Sequence, residues 1–477
     1  MNNRFLKHPF LKQLLAKASL TFTLALASIS SIQQASADAI LHAFDWNYSD
    51  VSARATEIKN LGYKAVLVAP PLKSNSANSA WWQRYQPQDI RVIDHARGNK
   101  QSFQTMVNAL NAQGVAVYAD IVLNHMANER NGATDFPGSA AISTYNSNTT
   151  YWNNQKLFGD LTQGLFGGFD FNPANCIQDY NDVWQVQNWR LCGGSGDTGL
   201  PDLNPNSWVV TQQRNYLTAL KNMGVKGFRV DAAKHMTAYH LNQIFTSTIK
   251  TNMYVFGEII TGGGAGNLDN DRFLSPYLRD TDHKAYDFPL FHSIRNAFSV
   301  GGSMSSLVDP QAVGQAIDRF RAVTFTINHD IPLNGGFRSW IMDSTDERLA
   351  YAYIMGRDGG KPLIFSDTTG TDSNRWVNAY KAPHIAAMLT FHNRVQGQGM
   401  EILAHNSCAI LFRRGEEGVV GINKCGSQQN FSVNTNSRFK WYRNYRDVLT
   451  NGNLVYISSS SYTFALPART ARMWLPE

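Results

Sequence analysis

An α/β fold, built as a closed (β/α)₈ TIM barrel with a long insertion and followed by an antiparallel β domain, is what this 477-residue sequence predicts. Three observations carry that prediction. Eight short β-rich runs alternate with segments of helical period, one connection between them is far longer than the others, and the pattern changes after about residue 391.

The eight runs are AILHAFDW, KAVLVAP, VAVYADIVLNH, KGFRVD, YVFGEI, KAYDF, AVTFTINHD and KPLIFSD. Between them, Val51 to Leu61, Lys100 to Gln113, Val209 to Met223 and Asp346 to Arg357 repeat apolar residues at three and four, the spacing of one helix face. Strands that alternate with helices pair in parallel through right-handed crossovers. Eight such units close into a barrel whose catalytic residues sit at the C-terminal ends of the strands. A doubly wound open sheet is the competing arrangement, disfavoured because no glycine-rich dinucleotide turn follows the first run.

The long connection runs from Met126 to Asn204 and is rich in Asn, Gly, Thr and aromatic residues, with weak periodicity. A loop of that length in a compact protein is a functional insertion or a small subdomain. After Phe391, the alternating runs CAILFRR, GVVGINK, KWYRNY and YTFALPA are punctuated by Gly, Asn and Ser and predict a compact antiparallel β domain. The expected limits are therefore 38–125 and 205–390 for the barrel, 126–204 for the insertion and 391–477 for the last domain.

Residues 1–37 read separately. Arg4, Lys7, Lys12 and Lys17 precede an apolar stretch from Leu20 to Ile32 that ends in Ala35-Ser36-Ala37, the order of an export signal cut before Asp38. The stretch is about 13 residues, against roughly 20 needed to span a bilayer, so a retained membrane anchor is not expected. Cleavage removes four cationic residues and no acidic ones, taking the formal charge from +7 to +3 and with it the compositional support for a nucleic-acid partner. With 43% hydrophobic and 12% aromatic residues the mature chain can bury a large core, and a monomer is its expected state.

The four cysteines fall into two local pairs more than 200 residues apart. In an exported protein they favour disulfides over a metal cluster or a catalytic thiol. Of the three possible pairings the local one is chosen, Cys176 with Cys192 and Cys408 with Cys425. Each closes a loop of about 15 residues, worth ~3 kcal/mol by chain entropy.

Chemistry concentrates at three predicted strand ends, Asp231 in GFRVDAAKH, Glu258 in YVFGEI and Asp330 in FTINHD, which close strands four, five and seven. A single acidic residue at such a position is more often a cap or an ion-pair partner. Three converging on one barrel mouth supply what glycosidic hydrolysis requires, a proton donor for the leaving oxygen and a carboxylate that forms or stabilises the glycosyl intermediate.

Four sequence signatures in order, DIVLNH at Asp120 to His125, GFRVDAAKH at Gly227 to His235, FGE at Phe256 to Glu258 and INHD at Ile327 to Asp330, resemble those of the α-amylase family of glycoside hydrolases. WWQRYQP at Trp81 to Pro87 is similar to the family's aromatic substrate platform, and WRLC at Trp189 to Cys192 to its calcium-binding insertion. The resemblance covers about residues 40 to 330. It implies a (β/α)₈ barrel, an inserted domain after strand three and a C-terminal β-sandwich.

By position, the resemblance makes Asp231 the nucleophile, Glu258 the general acid and base, and Asp330 the carboxylate that stabilises the distorted sugar and the transition state. Arg229, two residues before Asp231, shares its barrel face because strand side chains alternate, and its charge is expected to keep Asp231 ionised. Glu258 needs a raised pKa to hold its proton. Trp82 and Tyr85 are expected to stack on glucose faces, His125 and His329 to bond the hydroxyls of the sugar being cleaved, and Gln86, Lys234 and His235 to contact neighbouring subsites; Arg229 is counted with these substrate contacts.

A structural calcium is implied at Asn124, Asp202 and the carbonyls of Arg190 and His235, all hard oxygen ligands. Chloride is not predicted. Arg229 and Asn328 match two of the three residues used by chloride-activated members, but the third position falls at Leu363 and Lys361 is out of register; activity is expected to be unchanged when chloride is removed from the assay.

The function so implied is a secreted, retaining endo-hydrolase of α-1,4 bonds in starch, glycogen and related α-glucans. Its rivals are a maltooligosaccharide-forming amylase or transglycosylase of the same family, a catalytically silent glucan-binding protein, and a metal-dependent amidohydrolase. The last finds only a lone His42 on the first strand.

Overall fold

The computed structural model describes residues 38–75, 80–367 and 374–477. The export segment expected at 1–37 lies outside the described residues. Among those described, no helix is long and apolar enough to cross a membrane.

Eight parallel strands close into a barrel: β1 (Ile40–Ala43), β2 (Ala65–Val68), β3 (Ala116–Ile121), β4 (Gly227–Val230), β5 (Tyr254–Gly257), β6 (Lys284–Tyr286), β7 (Ala322–Thr324) and β8 (Lys361–Ser366). Each pairs with its neighbour in sequence and β8 returns to β1. Every one of the eight runs supplies one strand.

These strands are buried throughout because helices cover the outer face of the barrel. The helix Lys100–Ala112 shows how. Asn99 caps its first turn and Ser102 bonds back to the Asn99 backbone, while Phe103, Met106, Val107 and Leu110 form the apolar stripe turned to the core.

Register places the chemistry in layers. Asp120 on β3 is the cross-strand partner of Arg229 on β4, and Arg229 in turn of Phe256 on β5. Side chains two residues further along share the same face, so Asp231 and Glu258 stand one layer nearer the barrel mouth. Gly257 is required by close approach: a Cβ there would come within 2.4 Å of the Tyr277 hydroxyl and 2.9 Å of the Ala233 Cβ.

The insertion after β3 contains the short helices Ser139–Ser147, Thr149–Gln155 and Val183–Asn188. It is stitched to the barrel rim by backbone bonds from Ala127 N to Pro87 O at 2.8 Å and from Leu203 N to Asn124 O at 2.9 Å, and its own two ends are joined by Met126 N to Pro201 O at 2.9 Å. The Cys176–Cys192 disulfide closes the segment that carries the third helix.

The C-terminal region is a β-sandwich. Strands β9 (Met400–His405), β10 (Ala409–Arg414), β11 (Gly418–Asn423), β12 (Gln429–Asn434), β13 (Arg443–Asp447), β14 (Leu454–Ile457), β15 (Ser461–Leu466) and β16 (Thr470–Pro476) form a six-stranded sheet, β9-β10-β11-β16-β13-β14, and a ribbon, β12-β15. Leu411, Val433, Tyr445, Phe464, Leu466 and Trp474 fill the space between them.

Cys408–Cys425 joins the ends of the β10–β11 hairpin, so both disulfides pair locally, as chosen. Two details differ from the sequence reading. The helix Pro383–Arg394 runs through residue 391, and the first sandwich strand starts at Met400. KWYRNY is strand only from Arg443, because Tyr442 adopts a left-handed backbone at φ 59°.

Candidate active site

At the C-terminal mouth of the barrel a cleft of about 650 Å³ is lined by Asp231, Glu258 and Asp330. The other walls include Trp81, Trp82, Tyr85, Gln86, His125, Lys234, His235 and His329, together with Tyr180 and Leu191 from the insertion and Trp340 from the segment after β7. The three carboxylates named from sequence are thus gathered into one cavity.

Arg229 organises them from below. Its Nη1 donates to Asp231 Oδ1 at 2.7 Å and to Asp120 Oδ1 at 2.9 Å, and its Nη2 donates to Glu258 Oε1. Arg229 is 0% exposed and is not part of the cleft lining. Expected among the substrate contacts, it lies beneath the cleft with both terminal amines bonded to Asp120, Asp231 and Glu258.

Glu258 also accepts from the Ala232 backbone N–H at 3.2 Å through Oε2. Ala232 holds a left-handed backbone, φ 48°, a conformation that costs about 1–3 kcal/mol for a residue other than glycine. The kink that follows Asp231 therefore turns an N–H onto the neighbouring acid. Asp330 lies close enough to Glu258 for its negative charge to raise the Glu258 pKa.

The electrostatics follow from burial. Desolvation pushes Glu258 up to about 7, opposed by Arg229 and reinforced by Asp330. It raises Asp330 as well, with Glu258 and Arg229 acting in the other direction. For Asp231 burial again outweighs Arg229, so the net direction is upward. Arg229, expected to keep this group ionised, acts in that direction but against a larger rise that burial causes. Asp231 and Glu258 each accept a charge-assisted bond from Arg229, and Asp330 beside Glu258 adds a like charge that favours the protonated form of that acid.

Asp120 is the residue that sequence reasoning missed. It sits inside the DIVLNH signature, is buried on β3, and accepts from Arg229 and from the Tyr85 hydroxyl at 3.0 Å. The available signal was a charge in the middle of an otherwise apolar strand, which demands a buried partner.

The expected sugar contacts are found in two states. Trp82 is 46% exposed at the rim. Tyr85 lines the cleft, but its ring lies parallel to His329 at 5.3 Å, and His329 is also stacked against Phe44 at 4.8 Å. Both nitrogens of His125 have protein partners, Tyr85 O at 3.0 Å and Asn124 Nδ2 at 3.4 Å. Gln86 accepts from Asn128 N at 3.2 Å, Lys234 pairs with Asp269 at 2.9 Å, and His235 Nδ1 lies 3.0 Å from Val186 O. Burial lowers the His125 ring to about 4 and the His235 ring to about 3, which keeps both neutral.

Of the residues expected to hold calcium, Asn124 and Asp202 are both buried, and Leu203 N, next to Asp202, donates to the Asn124 carbonyl at 2.9 Å. Asn172, not singled out from sequence, donates to Asp202 Oδ2 at 2.6 Å. The Arg190 carbonyl accepts from Ile177 N at 3.1 Å. Lys361 lies 3.7 Å from Asp38 and 4.5 Å from the centre of the Tyr254 ring, and Leu363 pairs with Ile40.

A family profile described as "Alpha amylase, catalytic domain" matches residues 49–256. An α-amylase of Aeromonas hydrophila is 52% identical over 453 residues, covering 94% of this chain and 97% of that protein. The chain belongs to the α-amylase family. Among other members, an α-amylase-related protein of Drosophila yakuba is 30% identical over 455 residues, covering 85% of this chain and 86% of that one. The family fold is shared with the wild-type α-amylase I of Eisenia fetida, at a TM-score of 0.72 and 23% identity over 92% of this chain and 97% of that one.

Proposed function

We propose that this α-amylase-family protein hydrolyses internal α-1,4 bonds of starch-like glucans with retention of configuration. The observation that carries the reading is the placement of Asp231, Glu258 and Asp330 in one cleft around a shared Arg229.

In the first step Asp231 attacks the anomeric carbon while Glu258 gives its proton to the glycosidic oxygen, leaving a sugar ester on Asp231 and a free chain end. Glu258, now a carboxylate, takes a proton from water as that water cleaves the ester, and the acid form is restored. Asp330 keeps the proton on Glu258 before substrate arrives and faces the charge that develops on the ring. His329, fixed between Tyr85 and Phe44, is placed to bond a hydroxyl of the same sugar.

A structural calcium fits the donor set of Asn124, Asp202 and the carbonyls of Arg190 and His235. Among the described residues no group of three or more His, Cys, Asp or Glu could hold a metal, so the fit rests on amide, carbonyl and single-carboxylate oxygens, the hard ligands calcium prefers. Asp202 is buried and accepts from the neutral Asn172 amide, and a bound cation would offset the cost of that charge. It would fasten the insertion to the barrel and so hold one wall of the cleft.

Digestion of soluble starch is the test. Viscosity is expected to fall well before reducing ends accumulate, and the first sugars released should carry α-anomeric ends. A chelator is expected to lower both the activity and Tm, with calcium restoring each. Reducing ends that rise with no early loss of viscosity would overturn the endo reading, and a Tm unmoved by chelation would overturn the calcium site.

A further inference from the structure

The helix Val183–Asn188 of the insertion presents a tryptophan to solvent that neither the catalytic chemistry nor the core uses. Trp184 is 58% exposed. Such exposure sacrifices the burial that makes a large aromatic worth placing, and the surroundings indicate what the ring is for.

The helix is held firmly. Asp182 caps it, accepting from Trp184 N at 2.9 Å and Gln185 N at 3.3 Å. Val186 is fully buried, and its carbonyl lies 3.0 Å from His235 Nδ1. Arg272, from the segment after β5, donates to the Asn181 carbonyl at 2.6 Å. The Cys176–Cys192 disulfide encloses the whole segment. The indole is therefore carried on a fixed support.

On both sides the chain soon reaches residues that line the cleft. Tyr180, four residues earlier, is 47% exposed, lines the cleft and meets the His235 ring edge-on at 6.4 Å. Trp189, five residues later, packs edge-on against Trp184 at 5.7 Å and leads through Arg190 into Leu191, another lining residue. Trp184 thus stands on the segment between two lining residues, Tyr180, whose ring meets His235, and Leu191.

We propose that Trp184 is an outlying sugar platform: its ring stacks on the apolar C–H face of a glucosyl unit beyond those held beside the carboxylates, on the His235 side of the cleft. The occupant is the same α-glucan chain that the carboxylates cut, so the inference rests on the reading above. Trp184 touches no reacting atom and acts by positioning long chains.

The experiment compares Trp184→Ala with the parent enzyme on maltooligosaccharides of increasing length and on soluble starch. For the long substrates KM is expected to rise about five-fold, the scale of one lost aromatic contact, with kcat and the shortest cleaved substrate unaffected. Trp184→Phe should restore most of the loss, and a Tm close to that of the parent separates the effect from misfolding. A second measurement, on Glu258→Gln protein, is quenching of tryptophan fluorescence by a long maltooligosaccharide, with and without Trp184→Phe; the change should shrink when the indole is absent. A KM change equal for short and long substrates, or none, overturns the platform. If the parent enzyme cleaves no glucan, the failure lies in the underlying functional reading instead.

Discussion

Asp231→Asn and Glu258→Gln are each expected to lower kcat on starch by at least about a thousand-fold, because one would remove the proposed nucleophile and the other the proposed proton donor to the leaving oxygen. Both substitutions keep the shape of the side chain, so substrate binding should persist. The two effects should not add, since each step of the displacement needs both groups. In the unsubstituted enzyme kcat/KM should decline as pH rises past the point at which Glu258 gives up its proton, which burial places at about 7. Stability supplies an independent check. A carboxyl whose folded pKa is raised gives stability that is present below its unfolded value and lost as pH rises through the folded one. Glu258→Gln removes that loss, so its Tm at pH 8 should equal or exceed the parent's, whereas a lower Tm would mean that the side chain is chiefly structural.

Arg229→Leu has the second largest expected effect, on folding more than on chemistry. The guanidinium is fully buried and is bonded to Asp120, Asp231 and Glu258. Removing one partner from a buried ionic cluster costs about 3–5 kcal/mol, because the remaining charges lose their compensation. The pH dependence has a definite sign. Arg229 lowers the pKa of all three acids while burial raises them, so its loss lets each rise further. The penalty is then greatest at neutral pH and above, and it shrinks as pH falls toward the ordinary carboxylate range, where the acids are neutral in both proteins. Thermal melts of the variant and the parent between pH 4 and 8 should converge at the acid end. Arg229→Lys should recover part of the stability, but one ammonium cannot fork to several carboxylates as the guanidinium does.

The barrel was legible because its strands are short, apolar and bounded by helical segments of clear period. The three acids were legible because Asp231 and Glu258 directly follow such strands, while Asp330 lies in a polar run six residues beyond the end of its own, where it opens a short helix. Asp120 escaped because it lies inside a strand, where its role depends on which residue of β4 stands opposite, and register is set only when the sheet forms. Trp340 and Tyr180 escaped for a different reason. They reach the cleft from segments without periodicity, and such segments reveal their direction only when packed. The raised pKa of Asp231 could not be read from the neighbouring Arg229, because it depends on how much water the complete fold excludes. The left-handed turn at Ala232 left no mark in the sequence, since alanine gives no hint of a positive φ.

Around Arg229 the barrel mouth collects Asp120, Asp231, Glu258 and Asp330, more potential negative charge than one cation can balance. In the resting state that imbalance is relieved by retained protons. When a glycosidic bond breaks, the sugar ring itself becomes positive for an instant, and the pocket then contains the counter-ion it otherwise lacks. The surplus of acids is thus a template for a fleeting cation, already oriented before any chain enters.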